Sequence, residues 1–452
     1  MLGKKDVNML SGSITKGLLT IAIPIMLMNV LISLFNILDM WVLKLYDTDG
    51  LSVGAVGACK TLITLITNLV IGIATGANVV VAKHIGRKDP QHAERAAGTA
   101  VVISVLAGLA LTVIGISCAG VFLTWVNCPE QLMSRAVLYF QTYFAGVPFL
   151  MIYNFCTAIL RATGNSKQIM FVSLMGCVVK IAATYLFVAV FHMEILGVSL
   201  STIVSWLFYV ILSLYYLRQK NATVRIRREN LRLDKQELVA ILKIGIPTGL
   251  QMGMYAIANV VISAAVNSMG PEATTGISIA NTYDGVLYNI CVATSLAVMP
   301  YVSQNMGAHN VKRAVQSIWK GVWLTVCIGA SFGALSALFS RPLASVMSDD
   351  EMVITFARQK MILISSTYFI CGINDIVCAA LRGMGRSLSP TIATLVFMCI
   401  LRFVWVYWIF PLLPNLTFLY FVWPIGWVLS IITLLFVLVP TVKMRKAEFA
   451  AE

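Results

Sequence analysis

Asp39, Asp284 and Asp375 stand inside long apolar runs, away from the polar segments that hold the other acidic residues. An ionised aspartate at the centre of a membrane helix costs roughly +2.5 to +3.5 kcal/mol, so it persists where it binds a cation, carries a proton or has a partner. Two basic residues, Lys180 and Arg402, are stranded in the same way. Each half of the chain thus holds one acid–base set: Asp39 with Lys180, then Asp284 and Asp375 with Arg402. Asp39 is the candidate proton carrier, and Asn36, one helical turn earlier on the same face, is placed to hydrogen-bond it. Arg402 is charged at any accessible pH and is expected in a static ion pair. Asp375, on the helix adjacent in sequence, is its expected partner. That leaves Asp284, beside Tyr283 and Tyr288, to meet a cation.

These residues must be positioned by membrane helices. Of 452 residues, 59% are hydrophobic and 12% charged, too little charge to cover a soluble surface. The runs are long and lack the alternation of a β-barrel strand, which excludes an outer-membrane pore. Twelve spans are expected, at 17–43, 53–81, 96–124, 136–160, 168–191, 196–217, 238–268, 274–302, 314–339, 352–380, 388–413 and 417–440. The net charge of +14 invites a nucleic-acid reading, but the basic residues gather on alternate loops. Lys83, Arg87, Lys88 and Arg95 share one such loop, and Arg218 through Lys243 supply the most basic; Lys44, Lys60, Arg135, Arg341, Arg358 and Lys360 are assigned to the opposite side. By the positive-inside rule both termini are cytoplasmic, and nucleic acid is not an expected partner. The run from Gly17 is too long for a secretory leader and is read as a retained first helix.

The polar stretch Arg218–Glu237 divides the chain near its middle. The expected organisation is an N-terminal six-helix lobe at 1–217, a cytoplasmic basic linker at 218–237 and a C-terminal six-helix lobe at 238–452. The lobes match internally. Ile21-Ala-Ile-Pro24 pairs with Ile244-Gly-Ile-Pro247, and Leu160-Arg-Ala-Thr-Gly-Asn-Ser166 pairs with Leu381-Arg-Gly-Met-Gly-Arg-Ser387. An offset of 221 relates Arg161 to Arg382, Gly86 to Gly307 and Trp206 to Trp427. With an even number of spans per half, the repeats are parallel and related by a pseudo-twofold axis along the membrane normal, with a transport path expected between the lobes. Gly86, Gly164, Gly307 and Gly385 are expected to supply left-handed helix caps.

Phe35-Asn-Ile-Leu-Asp39, the Gly72/Gly76 pair, Ala82-Lys-His-Ile-Gly86, Gly245-Ile-Pro247, Gln304-Asn-Met-Gly-Ala308 and the two Leu-Arg-x-x-Gly-x-Ser turns together resemble the multidrug and toxic compound extrusion (MATE) family. The resemblance covers nearly the whole chain. It implies a secondary antiporter that exports cationic, often aromatic, compounds in exchange for protons or sodium, and it places Asp39 at the first-helix acid thought to carry the coupling ion. The NorM branch has acids in its seventh and tenth helices where ungapped matching puts Tyr255 and Cys371. The archaeal DinF-like branch has an Asn and an Asp on the fifth helix where Lys180 and Thr184 fall. The chain is therefore read as closer to the DinF-like and other bacterial branches than to NorM. A lysine there would repel a metal cation, so the proton is the expected coupling ion and sodium the alternative.

A proton and a cationic substrate competing for one negative charge is the least chemistry that antiport requires. Phe35, Tyr143, Tyr255, Tyr283, Tyr288 and Tyr368 are the aromatic candidates for stacking on a flat cation, beside Asp284 and Asp375. A passive channel would not need buried acids in both halves. A lipid-linked precursor flippase would share the lobed design but should offer a more cationic cavity than Lys180 and Arg402 supply. Ten cysteines lie singly, four histidines lie in or beside loops, and there is no P-loop, so disulfides, a structural metal, an organic cofactor and enzymatic or ATP-driven chemistry are not expected. The expected partners are small organic cations and membrane lipid, with the chain a monomer in the inner or plasma membrane.

Overall fold

In a membrane an apolar segment must satisfy its own backbone, and a helix does so within one segment. The structure, a computed structural model, describes residues 7–46, 51–126 and 128–451, and side chains among these outside positions 34–46 and 51–53. Among the described residues there is no strand. The principal helices are α1 (Ile14–Tyr46), α2 (Leu51–Gly86), α3 (Pro90–Ser117), α4 (Glu130–Ala145), α5 (Val147–Ala162), α6 (Ser166–Val190), α7 (Glu194–Arg218), α8 (Lys235–Asn267), α9 (Pro271–Gly307), α10 (Val311–Leu338), α11 (Glu351–Gly383), α12 (Leu388–Leu412) and α13 (Leu416–Ala451). Eleven of them are singly long and apolar enough to cross a membrane, and α4 with α5, bent by 45°, makes up to twelve. The fourth expected span, 136–160, is thus broken. Gly146 ends one segment, and Pro148, which has no N–H to give, sits in the first turn of the next.

The internal duplication shows in turn geometry. Gly164 and Gly385 adopt left-handed φ of 81° and 82°. Gly86 and Gly307 do not, contrary to expectation: each is the last residue of its helix, and the left-handed position falls two residues later, on Lys88 (φ 57°) and His309 (φ 58°). Asp89 and Asn310 then cap α3 and α10 by accepting from the N–H groups of His92 (3.1 Å) and Arg313 (3.0 Å). The His92 N–H holds the Asp89 carboxyl below the usual carboxylate range. Its contribution is therefore complete above that range and is lost only as pH falls through the lowered value.

The chain forms two compact units. Unit 1 includes Val30–Gly249, and unit 2 comprises Asn8–Asn29 with Leu250–Glu452. Both α1 and α8 therefore contribute their two parts to different units. In unit 1 the linker is docked on α3: Asn230 donates to Glu94 (3.0 Å), Arg227 pairs with Glu94 (3.5 Å), and the Asp234 N–H donates to Thr99 Oγ1 (3.1 Å). Val224 and Ile226 are buried. In unit 2, Arg313 clasps the segment before α1 by donating to the carbonyls of Met9, Ser11 and Gly12. Glu94→Ala is expected to raise trypsin cleavage after Arg227 or Arg228 roughly fivefold, as a local contact of ~1 kcal/mol implies. Limited proteolysis of the purified protein measures it, and an unchanged rate would mean that Glu94 does not hold the linker.

Candidate functional site

The richest polar constellation lies inside unit 2. A cavity of about 290 Å³ is walled by α8, α9, α11 and the start of α13. Asp284 and Asn281, three residues apart and so on one face of α9, project to Lys360 of α11. Lys360 Nζ donates to Asp284 Oδ2 at 2.9 Å and also to Asn281 Oδ1, and it stands 5.1 Å from the centroid of the Tyr420 ring. Tyr420 stacks on Trp423 at 4.8 Å. The guanidinium of Arg402 faces Trp423 at 4.5 Å and donates to Asn259 Oδ1 at 2.7 Å. Tyr368 also lines the cavity, its hydroxyl donating to the Asp284 carbonyl at 3.3 Å. A lysine and an arginine thus each face one ring of a stacked aromatic pair, and the lysine holds the single carboxylate that lines the cavity.

Local structure explains how Arg402, which does not itself line the cavity, comes to lie behind Asn259 and Trp423. It sits on a four-residue α-turn, Leu401–Val404, between π-helical segments at Leu395–Ile400 and Trp405–Ile409. The wide π-turns rotate successive side chains relative to an ordinary helix. In unit 1, α6 likewise passes into a π-segment at Tyr185–Val190, just beyond Lys180 and Thr184.

The ion pair expected from sequence is corrected. Among the described residues Arg402 has no carboxylate partner, and its hydrogen-bond acceptor is the neutral Asn259. Asp284, expected to be the free acid, is the paired one, and its partner is Lys360. Lys360, counted from sequence with the charges of the non-cytoplasmic side although inside the expected span 352–380, lies nine residues into α11 and is 5% exposed. Asp375, the expected partner of Arg402, lies two turns beyond Tyr368 along α11 and does not line the cavity. Its Oδ2 is buried without a hydrogen-bond partner among the described residues, and Arg382 is the basic group within its electrostatic reach. Arg382 in turn donates to Gln251 (2.6 Å), whose amide donates to Thr394 (2.6 Å). The structure therefore separates Asp284 from Asp375 into two polar networks.

The other candidates are dispersed. The side chains of Phe35, Asn36 and Asp39 lie outside those described. Lys180 and Thr184 are one turn apart on α6, and the Thr184 hydroxyl donates to Ser201 at 2.9 Å. Tyr143 is buried in unit 1, edge-on to Trp206 at 4.9 Å. Tyr283 turns away from the cavity, its hydroxyl bonded to the Leu343 carbonyl at 2.8 Å. Tyr288 is 41% exposed, while Tyr255 packs against the apolar core of unit 2. Among the sequence candidates whose side chains are described, only Asp284 and Tyr368 line the cavity itself. Asn259, Asn281, Lys360, Tyr420 and Trp423 were missed. The signal that could have found Lys360 is its place on the face shared with Tyr368, eight residues on.

Comparison with known proteins bears on the whole chain. A family model described as MatE matches twice, at residues 24–186 and 247–408. The matches begin at Pro24 and Pro247, the prolines already paired by the internal repeat. Two relatives from Bacillus subtilis (strain 168) are described as probable multidrug resistance proteins. YpnP is 27% identical, with 88% of this chain and 89% of the relative covered. YoeA is 25% identical, with 85% and 84% covered. An outward-facing multidrug resistance MATE family transporter of the MOP superfamily has the same fold, with a TM-score of 0.88, 18% identity and 99% of each chain covered.

Proposed function

The chain belongs to the MatE family, whose members compared above are membrane transporters and not enzymes, and from that premise we propose that it is a secondary active antiporter exporting small amphiphilic organic compounds that carry a cationic group, in exchange for protons. The observation that carries the reading is the polar cavity of unit 2, built with Asp284, Lys360 and the three amides Asn259, Asn267 and Asn281 inside helices long and apolar enough to span a membrane. Such groups are costly there unless they meet a solute or each other. Lys180 supports the choice of ion, since a fixed ammonium one turn from Thr184 disfavours a bound metal cation but not a proton held by a carboxylate. Tyr255 and Cys371, standing where the NorM branch has acids, support a branch nearer the DinF-like and other bacterial transporters than NorM. The protein works as a monomer in the inner or plasma membrane, with both termini cytoplasmic.

Proteoliposomes loaded with ethidium as the probe cation test this reading. Uphill ethidium movement is expected when a pH gradient is imposed and not when a sodium gradient alone is imposed. Asp39→Asn preserves shape and removes the titratable charge, so it should lower the coupled rate at least about tenfold while leaving the purified protein monodisperse. Wild-type rates in that variant, or equal drive by sodium alone, would overturn the proton assignment. Movement only down the ethidium gradient would overturn antiport.

A further inference from the structure

Lys360 is seated as a ligand would be. Its ammonium meets a carboxylate oxygen, Asp284 Oδ2 at 2.9 Å, a neutral acceptor, Asn281 Oδ1, and the Tyr420 ring, whose centroid is 5.1 Å away. Carboxylate, amide oxygen and aromatic ring are together what an organic ammonium needs in order to bind. All four residues line the unit 2 cavity, so the ion pair borders open space of about 290 Å³. That space reaches the protein surface, because Ser263, Asn267 and Ser278 line it and are exposed. The lysine also has a way out. Four methylenes carry its ammonium, and such a stem can stay buried while the charged head turns to water. Ser278, one turn before Asn281 on the same face of α9, offers the moving head a polar stop. Its hydroxyl donates to the Thr274 carbonyl at 2.8 Å, which leaves oxygen lone pairs to accept. A solute cation taking the vacated place would replace the lysine's charge and not add to it, so the enclosed carboxylate would still face one cation.

We propose that Lys360 is a tethered surrogate for a solute, and that the place of its ammonium, between Asp284 Oδ2, Asn281 Oδ1 and Tyr420, is a binding site for organic cations whose charged group bears N–H donors. Two of the three neighbours are hydrogen-bond acceptors, which a primary ammonium or an amidinium answers and a quaternary ammonium does not. Ethidium meets the requirement through ring amines conjugated to its cationic ring. Until such a cation arrives the lysine fills the site, so the carboxylate is never left without a counter-charge inside the membrane. Export of these cations rests on the antiport reading, whereas their binding does not.

Titration calorimetry on the purified full-length protein in detergent tests the site, with benzamidinium as the N–H cation and phenyltrimethylammonium as a control of equal charge. Benzamidinium is expected to bind Lys360→Met at least about tenfold more tightly than wild type, because a ligand that must wait for a minor lysine-out state loses affinity in proportion to that state's population. Adding Asp284→Asn should abolish the gain. Should Lys360→Met fail to fold, the wild-type protein decides. Acetylation of Lys360 by an N-hydroxysuccinimide ester, mapped by mass spectrometry and normalised to the exposed Lys312, should rise roughly fivefold or more at saturating benzamidinium, as a shift toward the lysine-out state implies. Phenyltrimethylammonium should leave it level. Equal or weaker benzamidinium binding by Lys360→Met, or Lys360 acetylation unmoved at saturation, would overturn the displacement. Phenyltrimethylammonium binding Lys360→Met as tightly as benzamidinium would overturn the N–H assignment. Displacement as expected without ion-driven ethidium flux would leave the site standing and sink the antiport reading alone.

Discussion

Lys360→Met is expected to destabilise the folded protein by ~3–5 kcal/mol, the typical cost of stranding one partner of a buried ion pair. Both side chains are almost fully enclosed, Lys360 at 6% and Asp284 at 9%. Without the ammonium, neither oxygen of Asp284 would be answered, and Asn281 would lose its donor too. Lys360→Met combined with Asp284→Leu removes both charges and should return the protein close to the wild-type unfolding midpoint, because a well-packed apolar replacement of a buried pair is often neutral. Arg402→Met should cost less, about 1–2 kcal/mol, since the group left behind is a neutral amide beside a polar cavity. Thermal unfolding in detergent, followed by tryptophan fluorescence, gives all three values. The ordering matters most. If Arg402→Met were the costlier change and Asp375→Asn or Asp284→Asn rescued it, the arginine would have an acid partner after all.

The architecture was legible in the sequence because membrane helices announce themselves by length and apolarity, with little dependence on tertiary context. The repeat was legible for a related reason. Turn residues such as Gly164 and Gly385 answer to local backbone geometry, so both copies retain them. The break at Gly146 was hidden because Val147-Pro148-Phe149 continues the apolar run, and hydropathy is blind to a missing N–H. Partner choice was hidden more deeply. Asp375 and Arg402 are on consecutive spans, but adjacency in sequence sets neither depth nor rotation. The π-segments flanking Arg402 change its direction in a way that a regular 3.6-residue period cannot convey. Lys360 was misassigned because a lysine within two or three turns of a helix end can extend its stem toward water or fold inward to an acid. Only Asp284 and Asn281, on the neighbouring helix, decide between the two.

Gly76→Ala should be among the most damaging single-methyl additions in the molecule. A Cβ at Gly76 would lie 2.1 Å from the Ile241 carbonyl oxygen, and one at Gly72 would lie 2.2 Å from the Gly249 Cα. The crossing is reciprocal: a Cβ at Gly245 would fall 2.7 Å from the Ile73 carbonyl, and one at Gly249 would fall 2.9 Å from that of Leu69. Two small-x-x-x-small pairs, Gly72/Gly76 on α2 and Gly245/Gly249 on α8, therefore bring the two backbones into direct contact, the arrangement by which membrane helices gain packing where no hydrophobic force is available. The obstacle is main chain on both sides, so no rotamer change relieves it and the helices must separate. The cost should exceed the ~1–3 kcal/mol usual for an overpacked core. Gly57→Ala provides the control on the same helix, where an added Cβ meets nothing within 4 Å. It should be neutral or stabilising by up to ~1 kcal/mol through helix propensity. The yield of monodisperse protein and the unfolding midpoint should fall for Gly72→Ala and Gly76→Ala and hold for Gly57→Ala. Because this seam ties the first part of α8 to unit 1, just before the helix enters unit 2 at Leu250, a Gly76→Ala protein with the wild-type midpoint would mean that α2 and α8 do not meet in this way.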